Sequence, residues 1–305
     1  MIRVLFMGTP EYARVILEAL CSCEDIEVVG VVSQPDKPAG RKQELSVPPV
    51  KEFALKRLAH VPLFQPENLK EARLEQQWRA LEPNFILVAA YGKILPRAIL
   101  DIAPCINLHA SILPLYRGAS PIQESLRRGD EFSGVSAMLM EGGLDCGDVL
   151  AFSFVKVPKT WDSARLFEEL SKQAAALGVK TLRRFSSLRA IPQIEADSSY
   201  CKKIQKCEGE VRFLHAGRVY DFYRAFKGWP GIHLASGVKL REITLISEEG
   251  THREGEILAL ESDGVVVGCA QGILKIFSVQ APSKREIDAL SYINGRRLVR
   301  GDTLC

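Results

Sequence analysis

The chain reads as an α/β protein: a doubly wound, mostly parallel sheet followed by a smaller β-barrel domain. Three observations lead there. Short apolar runs without polar alternation recur through the first half, as strands covered on both faces require. Helical patterns separate those runs, so the strands are joined by crossovers and pair in parallel. Farther on, the pattern changes to short strands punctuated by Gly237, Gly255, Gly264, Gly268 and Gly272, as in a small barrel.

Taken in order, the strands are expected at Arg3–Met7, Val28–Val32, Pro62–Phe64, Phe85–Ala89, Cys105–Leu108, Gly134–Met140 and Val149–Val157. Helices are expected around Tyr12–Cys21, Val50–Leu58, Leu69–Leu81 and Pro121–Arg128, and a long amphipathic one over Ser163–Phe185. Thr9 is placed to cap the first helix, with Pro10 at its first position. Ser120, Pro121 and Gln123 form a capping-box pattern ahead of another. Periodicity fails over Ile191–Ser199, which reads as a linker. The expected organisation is a catalytic domain over 1–190, a linker over 191–205 and a C-terminal domain over 206–305. Within the last, Val211–Phe226 has room for one helix.

Length and composition bound the possibilities. With 305 residues, 47% hydrophobic and 25% charged, the chain can bury two cores. Its net charge of +3 is unevenly placed: up to Tyr200 there are 24 Lys and Arg against 24 Asp and Glu, and from Cys201 onward 16 against 13. A signal peptide is not expected, because the first apolar run is short and leads into Gly8-Thr9-Pro10. No stretch approaches the roughly 18 apolar residues of a membrane helix. The eight cysteines show neither a Cys-x-x-Cys pair nor zinc spacing with histidine, so they read as small hydrophobes of a reduced, cytoplasmic protein. No metal is expected, no membrane partner, and a monomer is.

The chemistry concentrates in one stretch. Asn107-Leu108-His109 ends an apolar run, and residues two apart on a strand share a face. An amide and an imidazole therefore emerge together at a strand end, where doubly wound sheets collect ligands. Beyond them lie Ser111-Ile112-Leu113-Pro114 and Tyr116-Arg-Gly-Ala-Ser-Pro-Ile122, a loop stiffened by Pro and Gly. Farther along, Gly143-Leu144-Asp145-Cys146-Gly147-Asp148 puts two aspartates in a Gly-rich turn after another strand. Acyl transfer to an amine needs an oxyanion donor, a base and a carboxylate beside that base. Asn107, His109 and Asp145 are the residues of those types. Nothing comparable surrounds His60, His215, His233 or His252, which read as structural.

Asn107-Leu-His109, Ser111-Ile-Leu-Pro114, Arg117-Gly-Ala-Ser-Pro-Ile122 and Gly143-Leu-Asp145-Cys-Gly-Asp148 together resemble the folate-dependent formyltransferases. The likeness runs from Gly8-Thr9-Pro10 through Gln34-Pro-Asp-Lys-Pro-Ala-Gly-Arg41, Ala89-Ala-Tyr-Gly92 and Trp229-Pro230 to Gly301. It implies a Rossmann-like first domain and an OB-like C-terminal one, and makes Asn107, His109 and Asp145 the catalytic trio. It implies 10-formyltetrahydrofolate as co-substrate, held beside Ala89, Ala90, Tyr91, Gly92, Ser111, Ile112, Leu113, Pro114, Gly143 and Leu144. As acceptor it implies the α-amino group of methionine esterified to initiator tRNA, with the C-terminal domain helping to hold the tRNA. This sequence departs from the family pattern at Cys146, where Thr is usual, at Ser120, where Ala is common, and at Lys227-Gly228.

A nucleotide-dependent oxidoreductase is disfavoured because the first strand is followed by Gly8-Thr9-Pro10 and not by G-x-G-x-x-G. A catalytically silent RNA-binding module has only the basic C-terminal third in its favour. Formyltransferases acting on a glycinamide nucleotide or an amino-sugar nucleotide share the chemistry. The insert Gln34–Val50 separates them from this chain, because its Lys37, Arg41 and Lys42 suit a tRNA acceptor end. Pro35, Pro38, Gly40, Pro48 and Pro49 are expected to keep regular structure out of that insert.

Overall fold

The computed structural model describes residues 1–39 and 44–304. The chain begins β1 (Ile2–Gly8), α1 (Glu11–Cys21), β2 (Ile26–Val32), β3 (Lys37–Ala39), β4 (Glu44–Ser46), α2 (Pro49–Arg57) and β5 (Leu63–Phe64). It continues α3 (Ala72–Arg79), β6 (Phe85–Ala89), α4 (Arg97–Leu100), β7 (Cys105–His109), β8 (Arg117–Gly118) and α5 (Pro121–Arg128). Next come β9 (Phe132–Leu139), β10 (Val149–Lys156), α6 (Ser163–Arg184), β11 (Tyr200–Cys201) and α7 (Ala216–Phe226). The remainder is β12 (Ile232–His233), β13 (Lys239–Ser247), β14 (Glu256–Glu261), β15 (Gly264–Gly268), β16 (Ile273–Gln280), β17 (Glu286–Asp288) and α8 (Ala289–Gly295). Two compact units result. One comprises Met1–Pro121, Phe132–Lys156 and Phe167–Lys202; the other comprises Ile122–Glu131, Val157–Leu166 and Lys203–Cys305.

The first unit is a seven-stranded sheet in the order β10-β9-β7-β6-β1-β2-β5. From β7 to β5 every pairing is parallel. Val4 to Met7 at its centre are fully buried, which is what an uninterrupted apolar strand is for. Helix α1 covers it with Tyr12, Ala13, Ile16, Leu17 and Leu20, a helical stripe. The chain builds outward from β1 through β2 and β5, then crosses back to β6 and β7. Between β1 and β6 it therefore leaves a switch point, the usual place for a ligand crevice. Gly8 pairs with Ala89 there, and a methyl on Gly8 would lie 2.9 Å from the Ala89 carbonyl oxygen.

Four local expectations change. β9 runs antiparallel to both β7 and β10, because a strand covered on both faces has the same composition whichever way it runs. Thr9 does not cap α1. Pro10 is the cap residue, and Thr9 Oγ1 instead donates to the Tyr91 carbonyl (3.4 Å) and accepts the Gln34 N–H (3.3 Å). The helix expected over Val211–Phe226 begins at Ala216. The insert is not devoid of regular structure either: Lys37–Ala39 pairs antiparallel with Glu44–Ser46. Proline is tolerated in such an isolated two-stranded ladder because each strand keeps an open edge.

The second unit holds an antiparallel sheet in the order β12-β13-β16-β15-β14, with β17 pairing β16. Ile243, Ile257, Val265, Val267, Leu274 and Ile276 fill its interior. Asp288 caps α8 by accepting the Ser291 N–H at 2.7 Å. At the departure Lys227-Gly228, Lys227 Nζ lies 3.4 Å from Asp162 and over the Tyr223 ring.

Candidate active site

Strand β7 delivers Asn107 and His109 to the carboxyl end of the sheet, both on one face and both nearly buried (9% and 7% exposed). Asn107 is flanked by Val88 and Met138, and His109 lies opposite Ser136. The loop after β9 returns Asp145 to them. Asn107 Nδ2 donates to Asp145 Oδ1 at 3.2 Å, and His109 Nδ1 stands 3.7 Å from Asp145 Oδ2. The backbone N–H of Gly118 donates to the same Oδ2 at 2.9 Å. The three residues singled out from sequence thus form one cluster.

The imidazole has a partner that sequence reading did not include. His109 Nε2 lies 2.9 Å from the Tyr116 carbonyl oxygen. A carbonyl only accepts, so Nε2 carries a hydrogen in this arrangement, and Nδ1 is the ring nitrogen that faces Asp145. Asp145 itself sits at φ +50, in the left-handed region that non-glycine residues avoid. Such a conformation persists only where its surroundings over-determine it. Gln193 supplies part of that: its Nε2 donates to the carbonyls of Asp145 (2.9 Å) and Gly147 (2.7 Å), while its Oε1 accepts from Arg117 Nε (3.0 Å). The buried Arg117 guanidinium also donates to Glu195 (2.7 Å) and the Tyr200 hydroxyl (2.9 Å).

The stretch after Ile191, expected as a linker, thus lies against this loop along much of its length. β11 pairs in parallel with β8, Tyr116 N–H donates to Ser199 Oγ, and Ser199 N–H donates to the Pro114 carbonyl. No hydrophobic period announces these contacts, since they are made by backbone and by polar side chains. Ser136, fully buried on β9, is a second unforeseen support: its hydroxyl donates to the Ser111 carbonyl (2.7 Å) and accepts the Leu113 N–H (2.9 Å). Ser111 Oγ in turn donates to the Leu115 carbonyl at 2.6 Å, and the Leu113–Pro114 bond is cis. Ile112 is half-buried between them.

Ala89 ends β6, and the chain turns through Ala90 (φ +45) and Gly92 (φ +80). Tyr91 between them points inward, 2% exposed, and burial pushes its hydroxyl up to about 12. The Tyr91 carbonyl accepts from Gln34 Nε2 at 3.0 Å, which ties this loop to the end of β2. In the third loop Leu144 is 52% exposed, an apolar surface available to a ring. A methyl on Gly143 would lie 2.4 Å from Cys146 Sγ, so the cysteine at this departure packs on the glycine. The root of the insert is braced by Lys51 on Asp36 (2.8 Å), and exposed Lys37 reaches Gln34 Oε1 at 3.4 Å. Arg41 and Lys42 lie outside the described residues. Among the described residues no His, Cys, Asp and Glu group could hold a metal, and no helix is long and apolar enough to cross a membrane.

The fold and this cluster agree with what the comparisons find: the chain belongs to the formyl transferase family. Residues 2–182 match formyl transferase, and residues 203–297 match the formyl transferase C-terminal domain. The relatives it resembles are methionyl-tRNA formyltransferases. That of Wolinella succinogenes is 67% identical over 304 residues and all of both chains; that of Nitratiruptor sp. is 51% identical over 99% of each. Among solved structures, an N-formyltransferase of Helicobacter canadensis, in complex with folinic acid and dTDP-3-aminofucose, superposes with TM-score 0.69 at 16% identity. The match spans 91% of this chain and 99% of that one. HypX of Aquifex aeolicus in complex with tetrahydrofolic acid gives TM-score 0.61 at 15% identity, over 99% of this chain and 49% of that one. At such identities these two speak for the fold alone.

Proposed function

We propose that this chain transfers the formyl group of 10-formyltetrahydrofolate to the α-amino group of methionyl initiator tRNA, giving N-formylmethionyl-tRNA for translation initiation. The observation that carries the chemistry is the Asp145 carboxylate, bonded by Asn107 Nδ2 and faced by His109 Nδ1 at the end of β7. The full-length likeness to methionyl-tRNA formyltransferases, insert included, supports the choice of acceptor.

The folate, when bound, supplies an activated formyl group; the remaining work falls to the chain. Ala89, Ala90, Tyr91 and Gly92, with Ser111 to Pro114 and Gly143-Leu144, offer a rigid backbone edge and an exposed apolar side chain for a flat polar ring. Asn107 keeps a second amide N–H beyond the one given to Asp145, and it donates to the formyl oxygen as negative charge develops there. His109 takes the amine proton on Nδ1. Asp145 then faces a cation at 3.7 Å, with the two side chains only 12% and 7% exposed, where Coulomb attraction is less screened than at the surface. The ring is aimed by the Tyr116 carbonyl, so the contribution of Asp145 is charge and its hold on Asn107. Lys37, Arg41 and Lys42 contact the tRNA acceptor end, and the C-terminal unit helps hold the tRNA. The enzyme works as a cytoplasmic monomer.

The test is single-turnover transfer from 10-formyltetrahydrofolate to charged initiator tRNA, with an amino-sugar nucleotide as the competing acceptor. Asp145→Asn should keep a normal circular-dichroism spectrum and lose roughly 10²-fold or more in kcat. Asn107→Ala should lose a comparable factor. Near wild-type turnover in a folded Asp145→Asn enzyme removes Asp145 from the mechanism, and preference for the sugar nucleotide overturns the acceptor.

A further inference from the structure

We infer that Gln193 is a positioning residue for the formyl-transfer step: it sets the backbone of Asp145 without meeting either substrate. The inference rests on the catalytic role proposed above for Asp145.

Three observations carry it. Gln193 spends both amide hydrogens on the Asp145 loop, one on the Asp145 carbonyl and one on that of Gly147. These bonds bracket Cys146 and fix the loop on the carboxyl side of a residue held at φ +50. The Gln193 carbonyl oxygen is occupied by Arg117 Nε, which settles which end of the amide is nitrogen. Arg117 adjoins Gly118, whose N–H holds Asp145 Oδ2. One carboxamide therefore ties together the peptide that carries the carboxylate and the residue next to the N–H that receives it. If that tie is lost, the left-handed turn at Asp145 can relax. The carboxylate then drifts from Asn107 and His109, and misplacements near 1 Å cost up to ~10²-fold.

The proton inventory makes the idea specific. A carboxylate at position 193 would face two carbonyl oxygens with no hydrogen to offer, although it would suit Arg117. Gln193→Glu is nearly isosteric, so packing is kept and only donation is lost. Protonation returns one of the two donors, and the variant should regain activity relative to wild type as pH falls. A merely structural glutamine has no reason to produce that profile.

The experiment measures kcat and KM in single and double variants. Gln193→Ala and Gln193→Glu should lower kcat by roughly 10- to 100-fold at neutral pH, with KM for folate and tRNA within about twofold. In an Asp145→Asn background the same changes should cost less than about twofold more, because their target is already disabled. Full activity in both single variants, beside a disabled Asp145→Asn, overturns the role of Gln193 alone. Equal losses in both backgrounds overturn it as well, since Gln193 would then act elsewhere. An active Asp145→Asn enzyme overturns the underlying mechanism instead. Should Gln193→Ala unfold, Gln193→Glu and its pH profile carry the test.

Discussion

At the scale of single residues, the site's outer brace has a pH signature. Glu195 is 71% exposed on its side chain, yet it bonds the buried Arg117, and that bond holds its carboxyl below the usual range. A depressed folded-state value means that the stabilisation is present above the unfolded value, near ~4.3, and fades as pH falls through the folded one. Glu195→Gln should therefore lower Tm modestly at pH 7, and thermal scans should show the gap closing below about pH 4. Thiol chemistry is graded in the same way. Burial pushes Cys105 and Cys269 up to about 12, whereas Cys207 is exposed. Brief alkylation near neutral pH, read by mass spectrometry, should label Cys207 and spare Cys105 and Cys269. Asn107 and His109 were legible in sequence because a period of two on a strand end leaves their directions no freedom. Gln193 was not. Its bonds go to backbone carbonyls 46 and 48 residues away, and no local pattern encodes such partners.

Among elements, the short ladder of β8 and β11 matters more than its two residues suggest. Gly118 has φ +119, and a methyl there would lie 2.2 Å from the Cys201 carbonyl oxygen. Gly118→Ala should cost about 1–3 kcal/mol from backbone strain alone, and more if the ladder must part. It should also cut kcat, because the Gly118 N–H that holds Asp145 would shift. A Gly118→Ala enzyme with wild-type Tm would show that the ladder yields freely. The central strands were readable because β1 and β6 are built on uninterrupted apolar runs, Val4–Met7 and Phe85–Ala89. The reversal of β9 was not, since burial on both faces conceals direction. The β3–β4 ladder escaped notice for a different reason: Pro38 argues against a strand in general, but not in a ladder of two.

For the molecule as a whole, the two substrates should answer differently to salt. The basic excess lies from Cys201 onward, and the proposed tRNA contacts include Lys37, Arg41 and Lys42. The tRNA KM should climb steeply between about 50 and 200 mM salt as counterion release loses its advantage, while the folate KM stays nearly level. Replacing Lys37, Arg41 and Lys42 together by Ala should raise the tRNA KM, flatten its salt slope and leave binding of a folate analogue unchanged. An unaltered slope would remove these three from the interface. The pairing of Tyr116 with Ser199, 83 positions apart in sequence, also bears on how the enzyme is made. Ribosomes add roughly 5–20 residues per second, so some 4–17 s separate synthesis of the loop from synthesis of its brace. For most of that interval the nascent chain carries Asn107 and His109 without Gln193 and Ser199 to brace the loops around them. Birth as an enzyme comes late, with the last turn of the first unit.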